Sequence, residues 1–100
     1  MASYVIARVN VTDMDQYKEY MKLTPDAIAK YGGKFIVRGH NTVTLEGPEE
    51  TARVVVVEFP TFEQAQAFYH SPEYGAAKLQ REGAATGQFI AVQGIDEVQS

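Results

Sequence analysis

Four consecutive valines, Val54 to Val57, lie inside the most apolar segment of the chain, Arg53 to Phe59. Valine is β-branched and favours extended backbone, so this segment is predicted to be a strand. Successive side chains of a strand point to opposite faces of a sheet, and a run without alternation is therefore apolar on both faces. The chain must adopt a fold or an assembly that covers both sides of its sheet.

Further strands are predicted from alternation and from turn residues. Tyr4 to Val11 alternates with period two and is rich in β-branched residues, which indicates the first strand. Lys34 to Arg38, closed by Gly39, is the predicted second strand, and Gln88 to Gln93 is the predicted last one. Val43 to Leu45 is expected to form a short extra strand.

The segment after the first strand has the spacing of an amphipathic helix. Thr12 is the predicted N-cap, and Gly32-Gly33 supplies the left-handed conformation that commonly ends a helix. Pro25 is expected to kink or restart the helix, with Thr24 as a second cap, because proline disfavours helical backbone at the residue before it. The apolar positions recur every three or four residues at Met14, Tyr17, Met21, Thr24, Ile28 and Tyr31.

Two short helices are predicted after the valine strand. Thr61 and Gln64 have the spacing of a capping box, which indicates a helix start. Ser71 followed by Pro72 is typical of a second start, because serine caps and proline fits the first helical position. Gly83 is expected to end that helix.

The order of these elements predicts an α+β fold with a four-stranded antiparallel sheet, the ferredoxin-like βαββαβ arrangement, as one domain over residues 1–100. Helices in that arrangement cover one face of the sheet only. The valine run makes the other face apolar as well, and a second copy of the chain is the simplest cover. The sequence therefore predicts a homodimer that pairs through the open sheet face.

Charge and composition exclude several classes of function. The formal net charge is −4, whereas a protein that neutralises phosphates carries the opposite sign, so nucleic acid is not an expected partner. No apolar run approaches the ~20 residues that cross a bilayer, and no signal segment is evident, so we expect no membrane partner and a cytoplasmic location. The absence of cysteine and of metal-ligand spacings predicts neither thiolate catalysis nor a metal or other cofactor.

Several segments, in order along the chain, resemble a known family. They are Tyr31 to Gly39, Leu45 to Gly47, Arg53 to Pro60, Phe68 to Tyr74, and Arg81. Together they resemble the domain of unknown function 1330, a family of the dimeric α/β barrel superfamily. The resemblance implies a ferredoxin-like monomer that pairs sheet to sheet, and it implies no reaction. Distant relatives in the superfamily resemble cofactor-free monooxygenases, isomerases, dehydratases and haem proteins, which is analogy at the level of the fold.

Charged residues inside the predicted strands are the first candidates for function, because an unpaired buried ion is costly. In one interpretation they form a cleft for an anion or a carbonyl group, with arginine as a fork and Glu58 as base or orienting group. In the other they form a structural arginine–glutamate network at the sheet edge or dimer interface. These residues are Arg8, Arg38, Arg53 and Glu58.

Histidine and tyrosine side chains complete the candidate set. His40 stands at the end of a strand, where the resembled family commonly has glycine, and it is either an acid or base or an ordinary loop residue. His70 is expected to cap the preceding helix. Tyr69 and Tyr74 flank the Ser71-Pro72 corner, and Phe68 stands where tryptophan is common in the family. The candidate catalytic residues are Arg38, Glu58, His40 and Tyr69, and the candidate ligand-binding residues are Arg8, Arg53 and Tyr74.

Two functions remain open on these grounds. The first is a cofactor-independent enzyme or binder of a small organic acid or carbonyl compound, which predicts a pocket of a few hundred cubic ångströms between sheet and helices. The second is a non-catalytic ligand-binding or accessory dimer, in which the Arg/Glu network is purely structural.

Overall fold

A computed structural model describes residues 2–39 and 41–95 of the chain. Its four strands form one antiparallel sheet in the order β2-β3-β1-β4, and the helices pack on one face of that sheet. This is the predicted α+β ferredoxin-like fold. The elements are β1 (Ser3–Val11), α1 (Met14–Lys30), β2 (Lys34–Val37), β3 (Arg53–Phe59), α2 (Phe62–Tyr69), α3 (Pro72–Gln80) and β4 (Ala85–Gln93).

The central strand, β1, shows how the two faces of the sheet differ. Val5 and its register partner Val57 on β3 are buried beneath the helices. The next residue, Ile6, pairs with Val56 on β3 and with Ile90 on β4, and these side chains form the opposite face, called the open face below. Ile90 is 45% exposed, because no other described element covers this face. The valine strand is therefore apolar on both faces, as the sequence predicted.

Helix α1 differs from its prediction in two respects. Asp13, not Thr12, is the N-cap: its carboxylate accepts a hydrogen bond from the Gln16 backbone N–H at 3.2 Å, while the Thr12 hydroxyl donates to the Ala84 carbonyl at 3.0 Å. The helix also continues through Pro25 without the expected restart. Packing of both flanks against the core holds this segment helical and overrides the local preference of proline.

The buried stripe of α1 is rotated relative to the predicted one. Tyr20 is buried, whereas Met14 and Met21 are 46% and 37% exposed. The full buried set of this helix is Tyr17, Tyr20, Thr24, Ala27 and Ile28. The rotation matters because it places the Tyr20 hydroxyl inside the protein.

The capping residues of the two short helices are those predicted. The Thr61 side chain accepts from the Gln64 N–H, and the Ser71 side chain accepts from the Tyr74 N–H, each at 3.0 Å. His70 ends α2, where its backbone N–H donates to the Gln66 carbonyl at 3.2 Å.

Three boundary predictions are wrong. Val43 to Leu45 forms no strand, and these residues lie in an exposed loop without a strand partner. β4 begins at Ala85, three residues before the predicted start, because residues 85–87 continue the pairing with β1. β2 ends at Val37, after a register shift between Phe35 and Val37.

Gly33 lies where α1 and β3 pack closely, so a substitution at this position tests that packing. A Cβ at this position would lie 2.6 Å from Phe59 Cε1 and 2.9 Å from Ile28 Cγ2, and Phe59 is fully buried. Gly33→Ala is expected to lower the free energy of unfolding by about 1–3 kcal/mol, as overpacked core substitutions do. Urea denaturation measures this change.

Gly75→Ala is the matched control for this prediction. Gly75 lies inside α3, and a Cβ there meets no atom within 4 Å. The same substitution is expected to raise the free energy of unfolding by about 0.5–1 kcal/mol, the usual helix preference of alanine over glycine. A Gly33→Ala protein as stable as the natural one would contradict the packing described.

Candidate functional site

A cavity of about 120 Å³ lies between α1 and the helix-facing side of the sheet. Its lining is mostly apolar, and side chains of β1, β3 and β4 form one wall. The buried stripe of α1 forms the other wall, because residues three and four apart share one face of a helix. The volume is smaller than the predicted few hundred cubic ångströms, since bulky side chains enter the same gap. These are Tyr17, Tyr20, Tyr74 and Phe89.

Two arginines line this cavity on the β2–β3 side. Arg38 follows β2, is exposed, and places its guanidinium carbon 3.8 Å from the centroid of the Phe35 ring. Arg53 begins β3 and is half-buried. Within residues 2–39 and 41–95, neither forms an ion pair with a carboxylate; the ion pairs there are Arg8–Glu50, Lys22–Glu19 and Lys30–Glu73. We call Arg38 and Arg53 the arginine pair.

The register shift in β2 puts Arg38 on the cavity side. Lys34 pairs with Glu58 on the open face, and simple alternation from Lys34 would place Arg38 on that face too. The shift makes Val37, rather than Ile36, the partner of Val56. A one-residue slip exchanges the two faces of a strand, so the residue after Val37 points toward the helices.

The β4 side of the cavity contains a pair of buried tyrosine hydroxyls. The hydroxyl oxygens of Tyr20 and Tyr74 are 2.8 Å apart, with the side chains 8% and 1% exposed. Burial first, and then the neighbouring Tyr74, raise the pKa of Tyr20 far above its ordinary value. Tyr20 therefore keeps its proton at physiological pH and serves as a neutral hydroxyl.

Arg81 lies directly behind this tyrosine pair. Its Nη2 is 3.5 Å from the Tyr74 hydroxyl, and its guanidinium carbon is 4.7 Å from the centroid of the Phe89 ring. Burial lowers the pKa of Arg81, but the hydroxyls of Tyr74 and Tyr20 outweigh this effect and the net shift is upward. Arg81 is thus a buried cation, only 9% exposed, without a carboxylate partner in the described part of the chain.

The predicted site residues fall on both faces of the sheet. Arg38, Arg53 and Tyr74 line the cavity. Glu58 lies on the open face, opposite Tyr4 and Lys34, and so the sheet separates it from Arg38.

Arg8 also lies on the open face, where it is engaged in an ion pair. Its guanidinium forms two hydrogen bonds with Glu50, one of them from Nη2 to Oε2 at 2.6 Å. The hydrogen bond from Arg8 holds the pKa of the Glu50 carboxyl below its ordinary value. Arg8 is thus ion-paired with Glu50 and not with Glu58.

Tyr69 lies next to the cavity but does not line it. It contributes with His70 and Phe89 to a separate cleft between α2 and β4. Its ring centroid is 5.1 Å from that of Tyr74, so it supports the tyrosine pair by packing. His40, the other predicted catalytic residue, lies outside the described residues.

Tyr20 and Arg81 were not among the predicted site residues. Arg81 carries a readable signal, because Tyr74, Ala77 and Arg81 are spaced by three and four and must share the buried face of α3 and its C-cap. A charged residue on the buried face of a helix is unusual, and this pattern marks Arg81 as a candidate site residue. No sequence pattern singles out Tyr20, because its neighbour Met21 is equally apolar and fits the buried face of α1 as well.

Within residues 2–39 and 41–95, no group of three or more histidine, aspartate or glutamate side chains is placed to hold a metal ion. None of the helices in these ranges has the length and apolar character that crossing a bilayer requires.

Comparison with solved structures shows the same fold in proteins of low sequence identity. RPA0582, a protein of unknown function from Rhodopseudomonas palustris, matches with a TM-score of 0.73 at 18% identity, covering 95% of this chain and 83% of that one. SnoaB, a cofactor-independent oxygenase from Streptomyces nogalater, matches with a TM-score of 0.66 at 11% identity, covering 99% and 98%. A dimeric ferredoxin-like protein of unknown function from Jannaschia sp. CCS1 matches with a TM-score of 0.68 at 10% identity, covering 94% and 100%.

The family is shown by the sequence itself. No curated protein matches the chain. The model of the domain of unknown function 1330 (DUF1330) matches residues 2–95, nearly the whole length. The likeness to RPA0582 and the other solved structures agrees in fold. The protein described here belongs to the DUF1330 family.

Proposed function

We propose that this protein is a homodimer that binds a small, largely apolar organic acid in the cavity between α1 and the sheet. The observation that carries the proposal is the arginine pair, Arg38 and Arg53, on the wall of a mostly apolar cavity. Apolar pockets with a few placed polar groups are the usual form of small-molecule sites.

The chemistry and the size of the cavity define the ligand class. A guanidinium group matches a carboxylate in two parallel hydrogen bonds, and neither arginine is ion-paired in the described part of the chain. An apolar cavity of about 150 Å³ accepts benzene. The present cavity, at about 120 Å³, is slightly smaller and so limits the ligand to about one ring, with its carboxylate at the arginine pair.

The homodimer is supported by the open face of the sheet. Ile6, Val56 and Ile90 form an apolar row across three strands, and Val92 beside them is 40% exposed. The described chain has only a helix layer and a sheet layer, so this row has no cover of its own. The similar protein from Jannaschia sp. CCS1 is described as dimeric. Pairing of two open faces around a two-fold axis would cover both rows.

Titration calorimetry with benzoate tests the binding proposal. Benzoate is expected to bind, and benzamide, its uncharged counterpart, to bind more weakly. Arg38→Ala and Arg53→Ala are each expected to weaken benzoate binding about 10- to 100-fold, the effect of losing a hydrogen bond to a charged group.

Lys22→Ala is the control for loss of a cation. Lys22 lies on the outer side of α1, where it pairs with Glu19 and does not line the cavity. This variant is expected to bind benzoate as the natural protein does. If benzoate fails to bind at millimolar concentration, or benzamide binds equally well, the proposal is wrong.

Catalysis without a cofactor is the second candidate function, and the tyrosine pair favours it. A neutral hydroxyl that faces a ligand is able to donate a proton to a reacting oxygen, and SnoaB, which has the same fold, is a cofactor-independent oxygenase. Liquid chromatography with mass spectrometry of a bound acid after incubation distinguishes the two, because a product with a new mass or a new retention time supports turnover and an unchanged acid leaves a binding protein.

A further inference from the structure

One of the two hydroxyl protons of Tyr20 and Tyr74, the tyrosine pair, has no acceptor among the described residues. Each hydroxyl of Tyr20 and Tyr74 has a single proton, and the hydrogen bond between them uses one. Arg81 adds no acceptor, because a guanidinium group only donates, and its Nη2 is directed at the Tyr74 oxygen. One hydroxyl proton therefore has no acceptor in the described part of the chain, although buried hydroxyls are nearly always satisfied.

A second donor at the same place is also unmatched. The Nε–H of Arg81 is buried and has no hydrogen-bond partner among the described residues. Arg81 additionally places a positive charge behind the two hydroxyls. Arg81 thus adds only donors and a positive charge beside the two hydroxyls, and the group that complements the free donors is an oxygen atom with high electron density.

The tyrosine pair and the arginine pair lie at different ends of one cavity. Arg53 belongs to β3, whereas Phe89, which contacts Arg81, belongs to β4, and β1 runs between these strands. Neighbouring strands are about 4.8 Å apart, so the two ends are separated by roughly 10 Å at the level of the sheet. Tyr20, Tyr74, Arg53 and Phe89 all line the cavity.

We propose that Tyr20 and Tyr74, backed by Arg81, bind a second oxygen of the ligand. The ligand is then a hydroxy acid or an oxo acid, with its hydroxyl or carbonyl oxygen at the end opposite the carboxylate. This inference rests on the proposed function for the carboxylate end, and it adds a specificity-determining site that acts on the other end.

Comparison of benzoate with 4-hydroxybenzoate by titration calorimetry tests this site. The hydroxy acid is expected to bind about 3- to 10-fold more tightly to the natural protein, the gain from one net hydrogen bond. In the double variant Tyr20→Phe/Tyr74→Phe, which keeps no hydroxyl at this place, the gain is expected to disappear, while the affinity for benzoate stays within about 2-fold because the rings still pack.

Tyr31→Phe is the matched control. The Tyr31 hydroxyl also makes one hydrogen bond, to Glu73 at 2.9 Å, but Tyr31 does not line the cavity. This variant is expected to keep the full preference for the hydroxy acid.

The outcomes separate the two proposals. If benzoate binds and the added hydroxyl brings no gain, or the gain persists in the double phenylalanine variant, the oxygen site is wrong and the acid-binding proposal stands. If benzoate does not bind, the acid-binding proposal fails, and phenol then probes the tyrosine pair alone. Phenol binding that is lost in the double variant would support the oxygen site, and phenol that binds neither protein, or both equally, would overturn it.

Discussion

Val56→Asp is expected to convert the proposed homodimer into a monomer. Val56 lies on the open face beside Ile6, which itself pairs with Ile90. Both copies of the chain carry the substitution, so a two-fold interface would bury two carboxylates among apolar side chains. Each unpaired buried charge costs several kcal/mol, and the dissociation constant should rise at least ~1,000-fold. Sedimentation velocity at micromolar concentration measures the change.

Leu79→Asp is the matched control, because it replaces an apolar residue by aspartate at a different surface. Leu79 lies on α3, away from the open face, and is 63% exposed. This variant is expected to remain dimeric. A Val56→Asp protein that sediments as a dimer, or a natural protein that is monomeric at these concentrations, would refute pairing through the open face.

Arg81→Met is expected to abolish the preference for a hydroxy acid and to change the free energy of unfolding by less than about 1 kcal/mol. Arg81 is a buried cation with no carboxylate partner in the described chain, and methionine fills a similar volume without a charge. Burial of a cation costs free energy, but the hydrogen bond to Tyr74 and the contact with the Phe89 ring offset that cost. Methionine removes the cost and both contacts together, so little net change remains. Urea denaturation at one fixed protein concentration measures the change in the free energy of unfolding.

Lys22→Met is the control for this stability change. Lys22 is exposed and ion-paired with Glu19, and exposed pairs contribute little to stability. Its free energy of unfolding is expected to change by less than about 1 kcal/mol. If Arg81→Met instead destabilises the protein as a core truncation would, Arg81 serves the fold and not a ligand.

The parts of the fold that follow from local chemistry were predictable. The valine strand has its predicted bounds, Arg53 to Phe59, because neighbouring valines favour extended backbone wherever they occur. Thr61 and Ser71 cap their helices as predicted, since a cap depends on the next three residues only. Pro25 does not end α1, because packing of distant residues on both flanks decides that point.

The candidate site was predictable only in part, for a geometric reason. Arg53 and Glu58 lie on opposite faces, as alternation within one strand requires. The face of Arg38 depends on the register shift in β2, which no pattern in the sequence marks. The contact between Tyr20 and Tyr74 joins two helices far apart in the chain, so their hydrogen bond follows from the packing of α1 on α3.

A crystal structure of the protein with 4-hydroxybenzoate is the decisive experiment for the proposed site. We expect the ring between α1 and the sheet, the carboxylate within hydrogen-bond distance of Arg38 or Arg53, and the hydroxyl within hydrogen-bond distance of Tyr20 or Tyr74. An acid bound elsewhere at saturating concentration, such as in the cleft between α2 and β4, with the cavity side chains unchanged, would contradict it.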